Sequence, residues 1–199
     1  MTTINLPSYT TGWLAIAVGV VTLVGLVFIV LFFTVGQPFG TLNDVCIALA
    51  AILSGALAWM LYPVHHAQSP HLSQVALIAA WAGALVVAVG SALVILQVTG
   101  WFLAGLYMTA GNALIGLWLL GLNYSAQQSD SWPHGLVVFG LVVGAIMAVG
   151  LVAVPGILKS INAQDSAPWF VNVGYVGGLG WIILYPIWCI GLGRTLLLS

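Results

Sequence analysis

Charge is what this 199-residue chain has least of: two lysines or arginines and three aspartates or glutamates, 3% of its residues, against about 25% in a soluble domain. So few charges cannot cover a water-facing surface. A formal net charge of -1 also supplies neither a basic patch for nucleic acid nor a field for steering to a membrane surface. Cysteine is equally scarce, and Cys46 and Cys189 form no CxxC pair. The sequence further lacks a GxSG nucleophile turn, an HExxH motif, and a lysine inside its last apolar run of the sort a retinal Schiff base needs. These absences remove the common intramembrane enzymes, and the expectation is a protein without catalytic machinery. Ion pumps, proton relays and voltage sensors are set aside as well, because they need ionisable groups at membrane depth. Every charge here falls near the end of an apolar run or between runs.

What the chain has is apolar surface, 62% of residues with a mean hydropathy of +1.20. Six runs reach the roughly 20 residues a spanning helix needs: Trp13–Val35, Leu42–Tyr62, Leu72–Val98, Phe102–Leu122, Gly135–Leu158 and Phe170–Gly193. Turn chemistry separates them, at Gly36 to Gly40, Pro63 to Pro70, Thr99-Gly100, Asn123 to Pro133 and Ser160 to Pro168. The expected fold is an all-α integral membrane protein, one domain over residues 1–199, with short loops joining antiparallel neighbours. No Lys or Arg precedes the first run, which is also too long for a signal-peptide core, so it reads as a permanent span.

Six crossings put both termini on one side, together with His65, His66, His71 and His134. Arg194 lies on that side and Lys159 on the other, which leaves the positive-inside rule balanced at one each. Partial protonation of the histidines tips the terminal side towards the cytoplasm. A faint repeat runs from Trp59 through Ala67-Gln68 to Pro70-His71 and from Trp118 through Ala126-Gln127 to Pro133-His134. Both copies leave the membrane on the same side, so a duplication here would be of the parallel kind.

Helix association in lipid depends on close packing and interhelical hydrogen bonds, which favours small residues in rows. The third run carries Ala76, Ala80, Ala84, Ala88 and Ala92 at every fourth position; Gly140 and Gly144 in the fifth and Gly174 and Gly178 in the sixth are shorter versions. These are expected at helix contacts within the bundle, with a subunit or homo-oligomer interface as the other use. Thr41 and Asp44 have the spacing of a capping box at the start of the second run.

Among the neutral polar groups at depth, Thr22, Ser54, Ser91, Thr109 and Asn112, Asn112 is the costliest to bury, and Trp81 and Trp181 lie well inside their runs although tryptophan favours the interfacial belts. Trp13, Trp59, Trp101, Trp132, Trp169 and Trp188 fit those belts. A pocket shared by Asn112, Thr109, Trp81 and Trp181 would take an apolar ligand; the other expectation is that they pack between helices. The four histidines with Asp130 are the one group able to hold a metal, yet they lack the usual ligand spacings, so no metal and no cofactor beyond bound lipid is expected. The resulting expectation is a structural or assembly subunit, or a binder of lipid-like molecules, in contact with the bilayer and with other membrane subunits. A small transporter of a neutral or apolar solute is the alternative.

Overall fold

A computed structural model describes residues 8–129 and 132–198. Its long helices are α1 (Ser8–Val35), α2 (Phe39–His66), α3 (Pro70–Ile95) and α4 (Trp101–Gln127). The fifth apolar run is α5 (His134–Ala148), a 3-10 stretch (Val149–Ala153) and the short α6 (Val154–Leu158), followed by a 3-10 turn at Gln164–Ser166. The sixth is α7 (Trp169–Leu179), a π turn (Gly180–Leu184) and α8 (Tyr185–Leu198). Among the described residues six helical stretches are thus long and apolar enough to cross a membrane.

Their ends differ from the expected ones by at most five residues, mostly because helix continues into what reads as turn. α2 passes through Pro63 to His66. Proline removes a donor and crowds the preceding turn, but so near the C-terminal end of α2 only one turn is affected. Where the backbone must reverse, residue choice is decisive. Gly36 adopts φ +99° and donates its N–H to the Phe32 carbonyl at 3.0 Å, closing α1 in a conformation that a side chain would strain.

Each helix packs antiparallel on the next, and α8 returns to α1, so the six spans form a closed ring. Four of the six seams meet glycine to glycine: Gly83 with Gly111, Gly116 with Gly144, Gly150 with Gly177, and Gly12 with Gly193. A Cβ on Gly83 would stand 2.5 Å from the Gly111 carbonyl oxygen, closer than real Cβ contacts come. Only glycine permits that approach, and in lipid such close packing is a main source of helix affinity. The Gly12–Gly193 contact sets the start of α1 beside α8 near its end.

The alanine row is buried over Ala76, Ala80 and Ala84, half-exposed at Ala88 and exposed at Ala92. At 3.6 residues per turn, every fourth residue drifts by about 40°, so the row rotates by about 160° from Ala76 to Ala92. It therefore packs along half of α3, while Gly83, Val87, Gly90 and Ser91 occupy the buried face as the row leaves it. Gly140 and Gly144 sit at the α4 contact as expected, and Gly174 lies against Ala153. Gly178 does not pack: nothing stands within 4 Å of its Cβ position, and Gly177 takes the contact instead.

Burial and hydropathy run opposite ways along this chain. α4, the least apolar of the six spans, is the most buried, while α1, the most apolar, is the least. Large apolar side chains such as Val27, Val30, Phe33, Val75, Ile78 and Leu85 point outward. In water that arrangement would be costly; against acyl chains it is what a spanning helix requires. The Trp59 and Trp118 repeat has no structural counterpart, as Trp59 is exposed and Trp118 buried.

Candidate functional site

The two ends of the ring differ in what fills them. At the end where α2 and α4 finish, aromatic rings occupy the centre. Trp181 stacks on Tyr185 with centroids 4.9 Å apart, Tyr185 on Trp188 at 6.2 Å, and Trp188 meets Trp118 and Trp132 edge-on at 6.3 and 6.4 Å. His65 closes the series, 5.2 Å from the Trp132 ring. Below it the Tyr185 hydroxyl donates to Ser54 Oγ at 2.9 Å, and Ser54 donates to the Ala50 carbonyl at 2.7 Å, joining the second span to the sixth. Tyr185 follows the π turn, and Pro186, which cannot donate to a preceding carbonyl, accounts for the local widening there.

Several expected placements are corrected at this end. Trp132 and Trp188 are buried rather than interfacial, and Trp118 joins them; Trp13, Trp59, Trp101 and Trp169 are exposed as belt residues should be. His65 is not in a solvated loop. The continuation of α2 through Pro63 carries it inward to 2% exposure, where both ring nitrogens lack a hydrogen-bond partner. It borders a cavity of about 10 Å³ that is also lined by the unpartnered hydroxyls of Ser73 and Ser125, with room for one water at most. His66 packs on Tyr62, whereas His71 and His134 are exposed. Asp130 lies outside the described residues. Among the described residues no three His, Cys, Asp or Glu side chains group around a possible metal.

Nor does the structure gather Asn112, Thr109, Trp81 and Trp181 into one pocket. Trp81 lies outward over Gly55, and Trp181 is inside the aromatic stack. Thr109 is buried beside Gly150, and Asn112 is buried with its Oδ1 unpartnered. None of the four lines a cavity described here.

The opposite end, where α2 and α4 begin, is open. A cavity of about 460 Å³ lies between α1, α2, α3 and α4, walled by Ile29, Phe32, Phe33, Val94, Trp101 and Met108, with Gly105 in its wall. Gln37, Asn43 and Asp44 form its polar margin. Through Gln37, Asp44 and Val94 it adjoins a second cavity of about 520 Å³ lined by Thr41, Gln97, Thr99 and Asn162. Together they make a cleft with an apolar half and a polar half, within the size range of small-molecule sites. Asn162 holds its far margin, accepting from the Gly100 N–H at 3.0 Å and the Thr99 hydroxyl at 3.4 Å, which ties the loop after α6 to the turn before α4.

Asp44 was expected to cap a helix, and it does not. α2 begins at Phe39, after Pro38, with no side-chain cap, so Thr41 and Asp44 stand inside its first two turns. Thr41 instead gives both its N–H and its hydroxyl to Gln37 Oε1 at 3.4 Å. Asp44 is freed to face the cleft, where Asn43 Nδ2 donates to it at 3.5 Å. Neither a family model, nor a curated protein, nor a solved structure matches this chain, and its function has to be argued from this geometry.

Proposed function

We propose that this protein is a non-enzymatic, multi-pass membrane protein that binds a lipid-like amphiphile in the cleft at the Asp44 end. The observation that carries the reading is the cleft itself, an apolar wall continuous with a polar margin. Phe33, on that wall, is largely exposed on the outer surface of α1, so an acyl chain has lateral access. Six crossings leave both termini on one side, and we place that side in the cytoplasm. Exposed His71, His134 and Arg194 there outweigh Lys159 at the other end. Binding is favoured over transport because the core beyond the cleft is occupied by the stacked rings of Trp181, Tyr185 and Trp188. The alanine row gives less support to a scaffold, since its first half is used within the bundle.

Gly105 provides the test. Nothing lies within 4 Å of its Cβ position on the cleft wall, so Gly105→Leu starts a four-carbon side chain into open space there. Native mass spectrometry of the protein in mild detergent should find an amphiphile retained by the parent and lost from Gly105→Leu, with equal thermal stability. An equal complement of bound amphiphile in both proteins would remove the cleft as the site.

A further inference from the structure

The chemistry facing the cleft is specific enough to select a head group. Among the described residues its one charged lining side chain is Asp44, and no lysine, arginine or histidine lines either half. Asn43 beside it is 5% exposed, and its Oδ1 has no hydrogen-bond partner. The orientation of that amide is fixed by its neighbour: a carboxylate only accepts, so the NH2 group must turn to Asp44, as it does, leaving the carbonyl oxygen unpaired. One N–H of that amide is engaged by Asp44. Gln37, whose Oε1 accepts from Thr41, has only its neutral N–H donors left, so the charge in the cleft is that of Asp44. Asn43 Oδ1 is turned towards Gly25 of α1, so the acceptor a ligand in the cleft meets is the Asp44 carboxylate.

Asp44 is five residues into α2, about 8 Å along the axis, at a level between Phe32 and Phe33 near the end of α1 and Ile29 and Met108 further in.

We infer that the amphiphile, on the reading that the cleft binds one, carries a primary ammonium head. Its N–H donors meet the Asp44 carboxylate, and its alkyl chain lies along Phe32, Phe33 and Met108. A quaternary ammonium has the charge without the donors, an alcohol has one donor without the charge, and a carboxylate has neither.

The test is displacement of a polarity-sensitive fluorescent alkyl probe from the full-length protein in neutral detergent by four competitors of equal chain length: dodecylamine, dodecyltrimethylammonium, dodecanol and dodecanoate. The amine should compete roughly tenfold better than the alcohol, a charge-assisted hydrogen bond being the difference, with the quaternary ion between them and the carboxylate weakest. In Asp44→Asn the amine and the alcohol should become equal while the probe still binds. Equal displacement by amine and alcohol in the parent would overturn the ammonium assignment and leave the cleft intact, provided Gly105→Leu abolishes probe binding. An amine preference that persists in Asp44→Asn would likewise overturn it. A parent that binds no probe would overturn the cleft reading and this inference together.

Discussion

The two ends of this bundle use the same residue classes in opposite ways. At the histidine end, tryptophan and tyrosine are turned inward and stacked, and α2, α4 and α8 are pinned through Trp118, Trp188, and the Tyr185–Ser54 bond. At the Asp44 end, Phe32, Phe33 and Trp101 line a cleft instead of filling it, and the polar residues bond in pairs along its margin, Thr41 to Gln37 and Asn43 to Asp44. A membrane bundle gains nothing from burying an apolar ring in place of exposing it to lipid, so the inward stack must be held by packing and hydrogen bonding. The open end shows what remains where that packing is absent.

The comparison is sharpened by paired substitutions. The largest effect is expected at Trp188, fully buried against the rings of Trp118, Trp132 and Tyr185: Trp188→Ala should cost about 3–5 kcal/mol, whereas Trp101→Ala, on an exposed ring, should change stability by about 0.5 kcal/mol or less. Thermal unfolding of both in the same detergent is the measurement, and equal losses would break the contrast. Next comes the alanine row. Ala84→Leu overpacks a buried position at a typical cost of about 1–3 kcal/mol, and Ala92→Leu, two turns nearer the open end and exposed, should be silent. Tyr185→Phe deletes the hydroxyl that reaches Ser54 while Ser54 keeps its bond to Ala50, which should cost about 0.5–1.5 kcal/mol. The smallest effect is expected for Asp44→Asn: with no cap to lose, unfolding should shift by about 0.5 kcal/mol or less, and a loss of about 1 kcal/mol or more would restore the capping role.

How much of this could be read from the residues follows from what each signal measures. Apolar runs of spanning length, separated by Gly and Pro, are set by bilayer thickness and backbone chemistry, and all six spans are where those rules place them. Pro63 misled because proline is a turn signal on average yet is tolerated in a last turn, and the burial of His65 followed from that one continuation of helix. Gly178 and Ala92 misled for a second reason: a small residue at every fourth position looks like one face, while the face itself rotates under it. The 3-10 stretch before Pro155 and the π turn before Pro186 change the local period, so Gly177 and Tyr185 come to contacts that a uniform 3.6-residue period does not reach. Prolines in the fifth and sixth runs were the signal available for both. The cleft was legible only in part. Thr41 and Asp44 stood out, but as a cap; that they open onto Trp101 and Met108 depends on how α2 and α4 meet, which no local pattern records.

The account's central claim, a binding cleft at one end of an otherwise filled ring, is tested most directly by mapping where an alkyl chain rests. A diazirine-bearing alkylamine should be photolysed with the protein in bilayers, and the attached residues identified by mass spectrometry. Labelling concentrated on Phe32, Phe33, Trp101 and Met108, and lost in Gly105→Leu, is the predicted result. Labels spread evenly over the outward faces of all six spans, unchanged by Gly105→Leu, would contradict it.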